Sequence, residues 1–285
     1  MSGMQLISSL GRQLLSFLTA LVVIFNLGTW VIPLFVLILL KLITAPFPQV
    51  QHVVNVWVEW VYRIAAAIDS LWMLKVVRIK INIHGQLPDH PAPIIVANHQ
   101  TWFDIPVLQY AVTQHGPILK FLIKKELIWV PIVGWICWAL NFPRLNRGTG
   151  DNARERDYAA IESASAILAA ERGALLIFAE GTRFTQRKHD NQRSDYSKLL
   201  TPRPGGLKIA LASVDADTPI VDLTINYNGG ATNFWRCLHG SSPTIDVHLT
   251  SYPAGEIGDV RLWLEARWSD KDELLSGAAQ LAASR

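Results

Sequence analysis

Between Arg12 and Lys41 the chain runs for 28 residues without a charge, ending in the unbroken apolar stretch 31–40. At 1.5 Å per residue a helix over 13–40 would be about 42 Å long, against about 30 Å of bilayer hydrocarbon, so the segment must tilt, break or turn back. Asn26, Gly28 and Pro33 mark where a helix breaks most easily, and a single span and a re-entrant hairpin both satisfy the pattern. The stretch is longer than the roughly 7–15 apolar residues of a signal peptide and no small-residue cleavage site closes it, so it is expected to stay attached. Residues 53–74 mix Trp57, Trp60, Tyr62 and Trp72 with Glu59, Arg63 and Asp69. That mixture predicts an interfacial helix, although a core helix of a globular domain shows the same pattern.

From Val77 onward the period changes. Short β-branched runs predict strands at 78–84, 94–97, 118–123, 174–179, 220–226 and 244–250. Longer periodic stretches predict helices at 105–113, 130–140, 151–172, 206–214 and 254–268, with a short helix and a frayed tail after Asp270. Strands separated by helices imply an α/β fold, a mixed sheet covered by helices, with an N-terminal helical membrane-binding arm over 1–76 and the α/β domain over 77–285. The polar region 182–204 reads as a long loop carrying Arg183, Arg187, Lys188, Arg193, Lys198 and Arg203, either solvated or forming a lip over anionic headgroups.

Composition sharpens the membrane reading. Half of the 285 residues are hydrophobic, eleven are tryptophan, and the mean hydropathy is +0.23. A net charge of only +3, without a basic-aromatic motif, excludes nucleic acid as a partner and suits a basic face toward anionic lipid. Cys137 and Cys237 form no C-x-x-C and lack a histidine pair at zinc spacing, so they read as free core thiols, and no metal site is expected.

The chemistry concentrates in two blocks. Residues 94–97 form a β-branched run that ends at Asn98, which puts His99 in the loop after a strand, where open sheets present catalytic groups. Asp104 opens the next helix, and its carboxylate can fold back onto the imidazole, fix the tautomer and leave the other nitrogen free as a base. The second block, Glu180-Gly181-Thr182-Arg183, ends the strand at 174–179. Its glycine permits a tight turn and Arg183 can hold a phosphate bidentately. No G-x-S-x-G elbow supplies an enzyme nucleophile, so His99 is expected to activate a substrate hydroxyl for direct attack on a thioester. Together the blocks suit acyl transfer onto a phosphorylated alcohol.

At these residues the chain resembles the glycerolipid acyltransferase family, which includes the 1-acylglycerol-3-phosphate acyltransferases, over roughly 94–226. The resemblance implies that the H-x4-D block, His99 and Asp104, is catalytic and that Glu180, Gly181, Thr182 and Arg183 help bind glycerol phosphate. It also implies that an arginine block, matched by Arg144 and Arg147, serves the same phosphate. Asn146 stands where the family often has an acidic residue, so either arginine could do so. A proline-opened strand, matched by Pro219, is the last block and belongs to an acyl-donor or structural motif. The stretch 200–206 resembles a branch that acylates varied lysophospholipids, which leaves the acceptor open. The implied co-substrates are a lysophospholipid, foremost lysophosphatidate, and an acyl-CoA or acyl carrier protein thioester, with no other cofactor. Membrane lipids are implied partners, and the site is expected to face the cytosol at an inner membrane.

Three rivals follow from the same residues: a remodelling acyltransferase with another headgroup, a membrane esterase or phosphohydrolase in which His99 activates water, and a non-catalytic lipid-binding scaffold. The presence of both His99 and Asp104 disfavours the scaffold. A glycine-spaced stretch at 148–153 imitates a dinucleotide fingerprint, but Asp151 or Asn152 serves there as a helix cap. Trp129, Trp135 and Trp138 read as core or bilayer contacts.

Overall fold

The computed structural model describes residues 3–121, 123–124, 129, 133–140, 142, 144–145, 159, 173–228 and 233–283. The helix expected at 151–172 and the glycine-spaced stretch at 148–153 lie outside them, except for an isolated position.

The N-terminal arm consists of α1 (Gly3–Thr29), α2 (Val31–Ile43) and α3 (Pro48–Lys75). Pro33 explains the break at Trp30. Its ring would crowd the carbonyl of Thr29 and it has no N–H to donate there. Contacts along α3 give the path of the other two helices. Gln51 donates to the Lys41 carbonyl, Leu34 and Leu37 share a core with Val54 and Val58, Asn26 donates to the Ala65 carbonyl at 2.9 Å, and Trp72 Nε1 donates to Thr19 Oγ1 at 3.1 Å. Residue numbers fall along α1 and α2 as they rise along α3. The first two helices therefore run in line, antiparallel to the third, and the re-entrant hairpin allowed at 13–40 does not form. The reversal comes at 44–47, where Phe47 N donates to the Thr44 carbonyl at 2.8 Å between two prolines. Ser9–Ile43 is long and apolar enough to cross a membrane.

The helix expected over 53–74 forms within α3 and has two unlike faces. Val54, Val58, Tyr62, Ala66, Ser70 and Met73, near one turn apart, face inward, while Trp57, Trp60, Ile64 and Leu71 are exposed. Arg63 pairs with Glu59 at 2.7 Å and donates to the Gly116 carbonyl at 3.0 Å, stitching the arm to the globular part.

The main sheet has the order β1-β8-β7-β2-β6-β3. Its strands are β1 (Lys80–His84), β2 (Ile94–Ala97), β3 (Leu119–Phe121), β6 (Ala174–Phe178), β7 (Pro219–Asn228) and β8 (Thr244–Pro253). Strands β7, β2, β6 and β3 are parallel, and β8 reverses the direction against β7. A two-stranded parallel pair, β4 (Ile123–Lys124) with β5 (Arg144–Leu145), stands apart and splits the strand expected at 118–123. Strand β2 is buried throughout because alternate residues serve two layers. Ile95 and Ala97 enter the core shared with Met73, Val107 and Leu108, while Ile94 and Val96 join Leu207, Leu264 and Trp268 on the other face.

The covering helices are α4 (Asp104–Leu108), which continues as a π-helical turn to Thr113, α5 (Val133–Ala139), α6 (Gln186–Gln192), α7 (Gly205–Ala212), α8 (Phe234–Cys237) and α9 (Val260–Ala283). Two elements depart from expectation. The loop at 182–204 contains α6, capped by Thr185 Oγ1 accepting from Lys188 N at 3.3 Å. The last helix starts after a 3₁₀ turn at Ala254–Glu256 and continues without a break past Asp270. Lys271, 1% exposed, holds that extension by donating to the Leu223 carbonyl at 2.7 Å and pairing with Asp222 at 2.6 Å.

Candidate active site

Strands β7, β2 and β6 are neighbours and parallel, so their C-terminal ends open on one edge of the sheet. Just beyond those ends lie Asn98 and His99 from β2 and Glu180 from β6, with Tyr227 near the end of β7. Asn98 continues the ladder through its side chain, its Nδ2 donating to the Ile225 carbonyl at 3.0 Å and its Oδ1 accepting from Ile225 N at 2.8 Å. The next residue, His99, is thereby held off the strand.

The imidazole Nδ1 lies 2.7 Å from Asp104 Oδ2. The same oxygen accepts from Gln100 N at 2.7 Å and Thr101 N at 3.1 Å, while Oδ1 accepts from the Tyr227 hydroxyl at 2.7 Å. A buried carboxylate with four donors needs no further partner, and its acceptor role fixes the proton on Nδ1. Nε2 is left as the basic nitrogen. Phe178 stacks on the imidazole with ring centroids 3.8 Å apart and 12° between planes, so the ring orientation is set from two sides. Burial, then the charge of Asp104, keeps the Tyr227 hydroxyl well above its usual range, so it stays a donor. Tyr227 was not among the residues expected from sequence, since the partners are 123 positions apart and no local spacing joins them.

Glu180 departs from its expected role. It is fully buried, with Oε1 accepting from His99 N at 3.1 Å and Oε2 from Leu200 N at 3.2 Å. A carboxylate turned inward onto backbone amides cannot meet an anion, and its work is to tie the two loops together. Burial pushes its pKa up to about 8 against the pull of both amides, with Asp104 adding to the rise and Lys271 opposing it. Phe184 N donates to the His99 carbonyl at 2.7 Å and strengthens the same tie.

The rest of the block faces outward. Gly181 has φ +69°, the left-handed conformation that a side chain would strain. Thr182 Oγ1 accepts from Lys188 Nζ at 2.8 Å. The Arg183 guanidinium carbon sits 4.5 Å from the centroid of the Trp102 ring, and Trp102 meets the His99 ring edge-on at 6.4 Å. Arg183 therefore shares a rim with the imidazole, and among the described residues its guanidinium has no acidic partner.

Arg144 lies on β5, and Arg147 lies outside the described residues. Pro219 opens β7 next to the start of β2, where Ile220 pairs with Ile94, whereas Leu223 pairs with Ala97 at the His99 end. It is thus about 13 Å along the strand from the site and has a structural place there. Cys137 and Cys237 are both buried and neither is in a disulfide, and burial pushes the Cys237 thiol up to about 12. Among the described residues no group of three or more His, Cys, Asp or Glu could hold a metal.

Below the rim lies an apolar cavity of about 560 Å³ between the arm and the 102–109 segment, within the usual size of a ligand pocket. Trp102 and Phe103, from the loop that carries His99, line it together with Leu27, Ala66, Met73 and Leu140.

The sheet thus presents a carboxylate-oriented histidine at one strand end and a glycine-arginine turn at the next, with an apolar cavity beside them. Residues 78–226 match the model of the Acyltransferase family. The chain belongs to that family, the glycerolipid acyltransferases. It is 25% identical over 210 residues to an uncharacterized acyltransferase of Schizosaccharomyces pombe, covering 64% of this chain and 58% of the relative. The human 1-acyl-sn-glycerol-3-phosphate acyltransferase delta is 27% identical over 199 residues, covering 63% and 51%. The Arabidopsis thaliana 1-acyl-sn-glycerol-3-phosphate acyltransferase 3 is 24% identical over 222 residues, covering 69% and 57%. The chain thus spans just over half the length of these relatives. The crystal structure of the 1-acyl-sn-glycerophosphate acyltransferase of Thermotoga maritima superposes with TM-score 0.58 at 19% identity, covering 93% of this chain and 98% of that one, so the fold is shared.

Proposed function

We propose that this chain is a membrane acyltransferase that moves a fatty acyl group from an acyl thioester to the free hydroxyl of a lysophospholipid, converting lysophosphatidate to phosphatidate. The observation that carries the reading is the 2.7 Å bond from His99 to Asp104 on the same rim as Arg183, above an apolar cavity. His99 Nε2 takes the proton from the acceptor hydroxyl as its oxygen attacks the thioester carbonyl. A carbon–oxygen bond forms, the carbon–sulfur bond breaks, and the imidazolium returns the proton to the departing thiolate. Asp104 holds the tautomer and stabilises the transient imidazolium. Arg183 binds the acceptor phosphate, and the cavity takes an acyl chain. Acyl-CoA or an acyl carrier protein supplies the thioester.

The membrane placement is supported by Ser9–Ile43, whose outer face exposes Leu14, Phe17, Phe25, Ile32 and Phe35. Because thioester donors are cytosolic, the site faces the cytosol at an inner membrane. The test is incubation of the membrane-bound protein with oleoyl-CoA and a panel of lysophospholipids, comparing wild type with His99→Ala by mass spectrometry. Diacyl product from lysophosphatidate that vanishes in the variant is the expected result. Product from another headgroup only would make the chain a remodelling enzyme, free fatty acid formed without acceptor would make it an esterase, and equal product from the variant would overturn the base.

A further inference from the structure

Beyond the family's four blocks, one cation is built onto the same turn. Arg203 N donates to the Ala179 carbonyl at 2.8 Å, and Leu200 N donates to Glu180, so 200–203 is tied to the end of β6 at two points. The exposed side chain of Arg203 then lies across Gly181. A Cβ at that glycine would sit 3.5 Å from Arg203 Cδ and 3.6 Å from Nη1. The carboxylate nearest in sequence, Glu180, is spent on backbone amides inside the fold. Among the described residues the Arg203 guanidinium has no hydrogen bond or ion pair to a side chain, and Arg183, two residues beyond Gly181, has only the Trp102 ring. Lys188 adds a third positive charge, donating to Thr182 Oγ1 at 2.8 Å and to the Arg183 carbonyl at 2.9 Å. Three cations around one turn, with its own carboxylate withdrawn, suit a dianion rather than a single negative charge.

We propose that Arg203 is the second guanidinium of the acceptor site and, with Arg183, clamps a phosphate monoester. The assignment rests on the transfer reading above and narrows it to a class. An acceptor with a terminal phosphate is held by two forks, whereas one whose phosphate is a diester, carrying a single negative charge and a bulky substituent, engages only one. The fixed backbone of 200–203 means that little ordering is needed on binding.

The test uses the full chain in membranes or detergent, with Arg203→Ala and Arg203→Lys. Losing one charge-assisted fork should raise KM for lysophosphatidate about 10- to 100-fold, with kcat within about twofold and KM for oleoyl-CoA unchanged. Arg203→Lys should recover part of the loss. An unchanged acceptor KM, or a change confined to oleoyl-CoA, whose own phosphates are the other source of this chemistry, would overturn the proposal. Calorimetric titration with a short-chain lysophosphatidate and the matching lysophosphatidylcholine reads the clamp without turnover. Wild type should prefer the monoester and Arg203→Ala should lose that preference. If wild type binds the monoester preferentially through Arg203 yet transfers nothing, the clamp stands and the transfer reading fails. If the variant keeps the preference, the clamp fails whatever the turnover.

Discussion

Asp104 is the residue on which most of the site's geometry converges. Replacing it with Asn leaves the volume unchanged but puts an amide where Nδ1–H, two backbone N–H groups and a tyrosine hydroxyl all donate. Transfer should fall by roughly three orders of magnitude in kcat while the far-UV spectrum of the protein stays the same. Tyr227→Phe removes one of the four donors, and the expected loss is about tenfold in kcat with both KM values unchanged, measured in the same assay. Glu180 gives a different signature. With a folded pKa near 8 against an ordinary 4.5, the folded state binds the extra proton between those values, so this residue's contribution to stability falls as pH rises through the window, by at most about 1.4 kcal/mol per unit. Thermal unfolding from pH 5 to 8 should show a downward trend in wild type that is flatter in Glu180→Gln; equal slopes would remove the assignment. The pairing of His99 with Asp104 and the place of Arg183 on the turn after β6 were legible in the sequence, because each sits within a few positions of the strand end or helix start that places it. The contact of Tyr227 with Asp104 and the inward turn of Glu180 were not, because both depend on which strands lie side by side.

At the scale of elements, the readable features were those with a local cause. Pro33 announced the break between α1 and α2, and the β-branched runs announced β2, β6 and β7. That the C-terminal helix runs unbroken through Asp270, rather than as two helices, was not readable, because what holds it there is a contact outside its own periodicity. Lys271 passes under the sheet to Asp222, Leu223 and Thr224, a buried cation whose partners lie nearly fifty residues earlier. Burial lowers the pKa of this ammonium and the neighbouring Asp222 opposes that fall. Lys271→Met would leave the Asp222 carboxylate, 11% exposed, without its counter-charge. A loss of about 3–5 kcal/mol of unfolding free energy is expected, against a much smaller loss for the double variant Lys271→Met/Asp222→Leu, and chemical denaturation of the three proteins checks it. Since Asp222 and Leu223 pair in register with Val96 and Ala97, loosening α9 should also slacken the strand end that carries His99.

The whole molecule joins a helical arm to a sheet through one shared cavity, and this arrangement predicts what separates membrane attachment from folding. Leu34 and Phe35 are neighbours on α2, yet Leu34 is 4% exposed against Val54 and Val58 while Phe35 is 50% exposed. On α1, Phe25 is 78% exposed beside Asn26, which is buried against α3. If the outward face lies in lipid, a charge there must be carried into hydrocarbon, at about 2.5–3.5 kcal/mol for an aspartate near the centre of a spanning helix. Phe25→Asp with Phe35→Asp should therefore shift the protein toward the fraction removed by alkaline or high-salt washing of membranes, with transfer activity retained in detergent. Leu34→Ala should do the reverse: the protein stays with the membrane, and its thermal stability in detergent falls by about 2–5 kcal/mol through the cavity it leaves. Retention of the double aspartate variant in washed membranes would mean that the arm is held by something other than its apolar outer face. The contrast between adjacent residues makes the experiment informative, because two substitutions one position apart act on different solvents: one on the bilayer, the other on the core that the arm shares with the globular part.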